Sequence, residues 1–225
     1  MSEPFFRVTT PPDKFGGGTV CHAVVSSAPW ERQIVKIGDL NVFGRKSWSK
    51  FDPVWANEVI YYDTRGKTLK DFMRRIVVHH TNNDKTVLEN EEKQKGRGYA
   101  ALGYHFFIAK DGKIYEGRPL EVMGSHAGSG KTPGPTNDPD WGSIGIVLQG
   151  DYHHDDDWIS SSTATDTQLA RLKALVKALA KMYDIKTLIM HREVTGRKGD
   201  STVCPGDHLV PKITALRTEL QMSAN

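Results

Sequence analysis

Three short runs in this chain are apolar almost throughout: Ile76-Val77-Val78, the SIGIVL of 143–148 and the TLIM of 187–190. A strand with one wet face alternates apolar and polar residues. Continuous runs of this kind, rich in β-branched side chains, predict strands covered on both faces. Such strands need helices to cover them, and the helices are legible. Leu169, Leu172, Val176 and Leu179 recur at helical spacing within 167–182, with Lys173, Lys177 and Lys181 on another face, and Thr165 or Asp166 can cap the start. Residues 86–96 are polar and helix-compatible, closed by Gly96 and Gly98, and Asn82-Asn83-Asp84 reads as a turn that can cap them. A last helix is predicted over 207–221. Asp111-Gly112, set between two strand-like runs in 103–117, predicts a hairpin. The expected fold is therefore α/β: a single domain with a central mixed β-sheet flanked by helices.

The ends and connections read differently. Residues 1–45 are expected to form an N-terminal extension to a main domain of 46–225. Within it, 1–18 are rich in Pro, Thr and Gly and predict a loose arm. Residues 19–45 carry the strand-like runs TVCHAVV, RQIVKIG and LNVFG, with a Gly38-Asp39 turn, and predict a small β element packed on the main domain. The spread aromatics Trp48, Phe51, Trp55, Tyr61, Tyr62 and Phe72 predict a segment lying across the surface of the core. Residues 128–142, with four Gly and three Pro, predict a long loop.

Composition excludes some functions. The chain has 225 residues, 38% hydrophobic and 25% charged, enough to bury a core without a disulfide or metal to hold it. A formal charge of +3, with no run of five Lys/Arg and no basic stripe interleaved with aromatics, argues against a nucleic-acid partner and suits at most an anionic polymer. No window approaches the roughly twenty apolar residues of a membrane span. The opening MSEPFF lacks a basic stretch followed by an apolar one, so synthesis in the cytoplasm without a classical signal peptide is expected. Cys21 and Cys204 are too few for a disulfide framework, though one bridge is possible on count.

Two of the apolar runs end directly on histidine, at His79 and at His191, where a strand leaves the sheet and a site can form. Thirteen residues after His191 comes Cys204, followed by Pro205-Gly206, and a turn there can bring the thiol back. Two imidazoles and one thiolate suit Zn²⁺, and three protein ligands leave the fourth tetrahedral position open, the pattern of a catalytic ion. A zinc ion lowers the pKa of the water it holds to about 7 and polarises a carbonyl. Spacing alone leaves the alternatives open. A single strand-end histidine more often has a hydrogen-bonded structural role, and a single buried cysteine is more often an inert small hydrophobe.

The motifs RIVVHHTNN (75–83), LGYHFFIAKDGKIYEGRP (102–119), GSHAG (124–128), SIGIVLQGD (143–151) and HREVTGRKGDSTVCPG (191–206) change that balance. In order and kind they resemble the type 2 N-acetylmuramoyl-L-alanine amidases, which include T7-type phage lysozymes and the peptidoglycan recognition proteins. GRKSW (44–48) looks like the short entry motif of the recognition proteins. The resemblance implies that 46–225 is a zinc amidase domain. It implies hydrolysis of the amide between N-acetylmuramic acid and the L-alanine of the stem peptide, with peptidoglycan or muropeptides as partners. A non-catalytic muropeptide-binding module of the same fold is the alternative. In that class the cysteine ligand is typically replaced, and Cys204 is present.

The same resemblance implies residue roles. His79, His191 and Cys204 match the zinc ligands, His79 being preferred to His80 as the first histidine after the strand. Tyr104, in GYHF, matches the catalytic tyrosine, and Thr202, two residues before the cysteine, matches the threonine of active recognition proteins where phage enzymes carry a lysine. His126, in GSHAG, and His80 are expected substrate contacts. Glu193 can orient a neighbouring histidine or be a surface carboxylate. His153-His154 with Asp155, Asp156 and Asp157 reads as a solvated loop.

Some features depart from the family pattern. The His191–Cys204 gap is long, and Lys198 within it can take the place assigned to Thr202. Trp141-Gly142 precede SIGI where the family often has asparagine, and the 128–142 loop is long. The expected site of action is the bacterial cell wall, periplasmic or extracellular, reached through lysis or secretion machinery unless the enzyme recycles cytosolic fragments. A monomer is expected.

Overall fold

Residues 3–11, 26–153, 163–199 and 201–224 are described by the computed structural model. The strand expected at 19–25 with Cys21, and the histidine–aspartate cluster from His154 onward, lie outside the described residues. Among the described residues the strands are β1 (Phe5–Val8), β2 (Ile34–Ile37), β3 (Leu40–Phe43), β4 (Val59–Tyr62), β5 (Arg75–His80), β6 (Phe106–Ile108), β7 (Ile114–Glu116), β8 (Ser143–Leu148) and β9 (Thr187–Met190), with helices α1 (Val87–Lys95), α2 (Asp166–Tyr183) and α3 (Val210–Glu219). Seven strands form one sheet in the order β2-β3-β7-β6-β8-β5-β9, and β1 pairs with β4 in a separate two-stranded ribbon. The large sheet is mixed: β2–β3 and β6–β7 are antiparallel, and β3–β7, β6–β8, β5–β8 and β5–β9 are parallel.

The apolar runs behave as their composition requires. Ile76 and Val78 of β5, with Ile144 and Ile146 of β8, join the main core beneath Leu172, Leu175, Val176 and Leu179 of α2 and Ile213 of α3. Val77 and Ile189 point the other way, into a smaller cluster with Ala127 and Val194. Alternate residues of a strand point to opposite faces, so β5 is buried on both sides. Full burial of side chains of this size stabilises by about 1.5–3 kcal/mol each. Helices α1 and α2 each open on a threonine capping box: Thr86 with Glu89 for α1, and Thr165 with Gln168 for α2. Thr86 is therefore the cap of α1, rather than the 82–84 turn, because its side chain takes the Glu89 N–H.

Three expectations need correction. Within the arm expected to be loose over 1–18, Phe5–Val8 form a strand, with Phe5 and Val8 buried and the backbone in register with Val59–Tyr62, while 1–2 and 12–18 lie outside the described residues. The β2–β3 element does not lie on the domain as a separate piece: β3 pairs with β7, and β2 beyond it makes the edge of the main sheet. The aromatic segment does not only lie across the core but enters it, since Tyr61 and Tyr62 of β4 are buried and Tyr61 accepts a 2.8 Å hydrogen bond from Trp30 Nε1. In GRKSW, the buried Arg45 guanidinium lies over the rings of Trp30 and Trp48 and pairs with the buried Glu91 of α1, whose Oε2 accepts from Ser49 Oγ at 2.6 Å.

Candidate metal centre

The site follows from strand register. β5 and β9 run parallel with Val78 opposite Met190, so His79 and His191 are the next residues on neighbouring strands at the same sheet edge. His79 shares a face with Val77, the side away from α2. Cys204 returns to this edge because the Arg192 N–H bonds the Cys204 carbonyl at 2.8 Å. Arg192 also pairs with Asp207 at 2.8 Å. One ligand atom from each of His79, His191 and Cys204 lies within 4.8 Å of the others. The two imidazole rings are 4.6 Å apart between centroids, and Cys204 Sγ is 3.7 Å from His79 Nδ1.

The three donors are held in their uncharged forms. Burial pushes His79 well below its usual pKa, and the neighbouring His191, His126 and His80 add to this. Burial, then the Arg197 charge, brings His191 down to about 4. Burial raises the Cys204 thiol to about 12, opposed by a hydrogen bond from the His80 backbone N–H. The site thus presents neutral imidazoles and a thiol that a cation would have to deprotonate. His191 is oriented by the Ala127 carbonyl, while its Nε2 is buried with no hydrogen-bond partner. A buried ring nitrogen left bare beside a thiol and a second imidazole fits a tetrahedral zinc with three protein ligands.

Around this group stand the other predicted residues. The Tyr104 ring is 5.1 Å from His79 and 6.2 Å from His126. Burial, then proximity to Cys204, raises the pKa of the Tyr104 phenol, so it stays a hydrogen-bond donor. His126 Nδ1 is 3.0 Å from His79 Nε2, and burial takes the His126 pKa down to about 3. Thr202 Oγ1 accepts the Cys204 N–H at 3.2 Å and so shapes the turn that carries the thiol.

Two residues are used otherwise than expected. His80 does not reach the groove. It shares the Val78 face, its Nδ1 accepts the Tyr152 N–H at 3.2 Å, and Asp151 lies 3.8 Å away. Glu193 orients no histidine, because its Oε2 caps the Met190 N–H at 2.7 Å and pairs with Arg217 at 2.6 Å.

A cleft of about 270 Å³ lined by His126, Asp140, His191 and Arg197 opens beside the metal group. It shares Tyr99, Ser125, Ser129 and Asp138 with a larger cleft of about 520 Å³ that runs on to Arg7, Arg97, Arg118 and Lys198. The two long loops meet here. Gly130 bridges Arg197, and the Lys198 N–H bonds the Ser129 carbonyl at 2.7 Å, so together they form one wall. Lys198 lines the larger cleft, and Thr202 holds the thiol turn.

Sequence reasoning missed Asp140. This buried carboxylate accepts the backbone N–H groups of His126 and Ala127, both at 2.9 Å, and Oδ1 lies 3.3 Å from His126 Nε2. An acidic residue three positions before a fully buried strand was the available signal.

A mixed sheet with two imidazoles and a thiol converging at one edge defines an amidase-fold domain. The model of the N-acetylmuramoyl-L-alanine amidase family matches residues 69–207, and the chain belongs to that family. It is 31% identical over 161 residues to peptidoglycan-recognition protein SC2 of Drosophila melanogaster, covering 65% of this chain and 75% of the relative. It is 32% identical over 108 residues to the endolysin of Escherichia phage T7, covering 48% of this chain and 64% of that protein. Among solved structures, the N-acetylmuramoyl-L-alanine amidase LysC from Clostridium intestinale URNW superposes with a TM-score of 0.53 at 30% identity, over 69% of this chain and 90% of LysC.

Proposed function

We propose that this protein is a zinc-dependent hydrolase of the amide bond between N-acetylmuramic acid and the L-alanine of the stem peptide. The observation that carries the reading is the convergence of His79, His191 and Cys204 beside a cleft that His191 lines. When bound by these three side chains, zinc supplies a Lewis acid for the amide carbonyl and makes hydroxide available at neutral pH. The protein supplies the rest. The cleft holds the stem peptide with the lactyl amide beside His191. The Tyr104 phenol donates to the oxygen on which charge develops, and loss of one such donor lowers kcat by about 10²–10³. Cys204 favours the catalytic reading over a module that only binds muropeptides. We assign the bacterial cell wall as the site of action, with peptidoglycan as partner.

The test is direct. Purified protein is assayed for bound zinc and incubated with muropeptides, and the products are read by mass spectrometry. Free stem peptide with intact glycan is expected. Intact muropeptide with zinc bound supports the binding module instead, and cleavage inside the peptide refutes the amidase. Tyr104→Phe is expected to lower kcat by about 10²–10³ with zinc content unchanged. Comparing intact sacculi with soluble fragments separates a lytic from a recycling role.

A further inference from the structure

We propose that Asp140 and His126 form a positioning relay that fixes which nitrogen of His79 faces the metal. The consequence rests on the zinc reading above; the geometry does not. His79 Nε2 and His126 Nδ1 are 3.0 Å apart, so one carries the proton and the other accepts it. The far nitrogen of His126 decides which. His126 Nε2 is buried without a well-aligned hydrogen bond. The polar group beside it is an acceptor, Asp140 Oδ1 at 3.3 Å. A lone pair there would face lone pairs, so Nε2 carries the hydrogen. His126 Nδ1 is then the acceptor, His79 donates from Nε2, and His79 Nδ1 is left as a lone pair. That lone pair points at Cys204 Sγ, 3.7 Å away, inside the group that would hold the ion.

Both ends of the relay are built in. Asp140 Oδ1 already accepts two backbone N–H groups at 2.9 Å, which fixes the carboxylate in place. The His126 ring sits in a slot that two glycines leave open. A Cβ on Gly145 of β8 would lie 2.4 Å from its Cδ2, and one on Gly124 would lie 2.5 Å from the same atom. Histidine ligands of metal sites are commonly oriented by a hydrogen bond on the nitrogen away from the ion. Here another histidine makes that bond, with a carboxylate behind it. The role assigned to His126 is therefore to hold His79, and Asp140 acts through His126.

The test reads the metal-free full chain first. Long-range ¹H–¹⁵N spectra of the imidazoles are expected to show both His79 and His126 as the Nε2–H tautomer. His79 found as Nδ1–H overturns the relay without need of metal or variant. Zinc affinity by chelator competition follows. His126→Asn places an amide oxygen near the position of Nδ1 and is expected to bind within about threefold of wild type, whereas His126→Leu is expected to lose about 10–100-fold. Equal affinities for these two variants overturn the proposal. A wild-type chain that binds no zinc refutes the proposed function, and the tautomer spectra then still decide the relay.

Discussion

Gly145→Ala tests the packing on which the centre depends. Gly145 lies in the middle of β8, paired with Val77 of β5, and its φ is not in the left-handed region, so alanine meets no backbone strain there. The obstacle is the His126 ring. The added Cβ would lie 2.4, 2.6 and 2.7 Å from Cδ2, Nε2 and Cγ of that ring. Non-bonded carbons settle at about 3.5–4.0 Å, so ring or strand must move by about 1 Å. Moving the ring breaks its 3.0 Å contact with His79. Overpacking of this kind destabilises by about 1–3 kcal/mol. Replacing glycine removes freedom from the unfolded chain and returns about 0.4–1 kcal/mol. The steric term wins, leaving a net loss of about 1–2 kcal/mol. For a chain of this length that lowers Tm by about 2–8 °C. Urea unfolding of the metal-free protein and calorimetry measure the loss, and chelator competition measures the accompanying fall in zinc affinity. Gly96→Ala is the control, since a Cβ there meets nothing closer than 3.5 Å. A Gly145→Ala protein with wild-type Tm and zinc affinity would refute the reasoning.

Cys204→Ala is expected to abolish zinc retention and hydrolysis while circular dichroism stays near wild type, because the main core does not include this side chain; an unfolded variant would instead mark the metal as structural. Arg45→Ala strands the buried Glu91 carboxylate and is expected to destabilise by about 3–5 kcal/mol in urea unfolding; a loss under 1 kcal/mol would count against a buried ion pair. Burial raises the Glu116 carboxyl from 4.5 to about 7, against the pull of Arg32 and the Arg45 N–H. Between those pH values the folded state holds more protons than the unfolded one, so stability falls as pH rises from 4.5 to about 7. Glu116→Gln is expected to remove this slope, on the order of 3 kcal/mol; parallel stability–pH curves for variant and wild type would show that Glu116 is not the source.

The fold was legible wherever the signal was local. The runs at 76–78, 143–148 and 187–190 are strands β5, β8 and β9, and the heptad-like spacing of Leu172, Val176 and Leu179 is the buried stripe of α2. Asp111-Gly112 closes the β6–β7 hairpin, with Gly112 at φ +82°. Phe5–Val8 was not legible as a strand, because its partner β4 lies about fifty residues away and its composition carries no trace of the pairing. Thr86 displaced the 82–84 turn as helix cap because both offer similar side chains, and only the backbone path decides between them.

The sequence by itself determined the alternation of strand and helix, and it marked His79, His191 and Cys204 through the ordered motifs around them. Those are properties of residue type and short-range order, which side-chain volume and polarity dictate. Only the tertiary structure decided what depends on register and long-range approach. The parallel pairing of Val78 with Met190 sets His79 beside His191, and the strand's two-residue period turns His80 to the opposite face, against Tyr152. The 128–142 loop brings Asp140 to the back of His126, and the 191–204 loop docks on it through Arg197. No composition rule announces such contacts, because they arise when segments far apart in sequence share the same few ångströms around a buried ring.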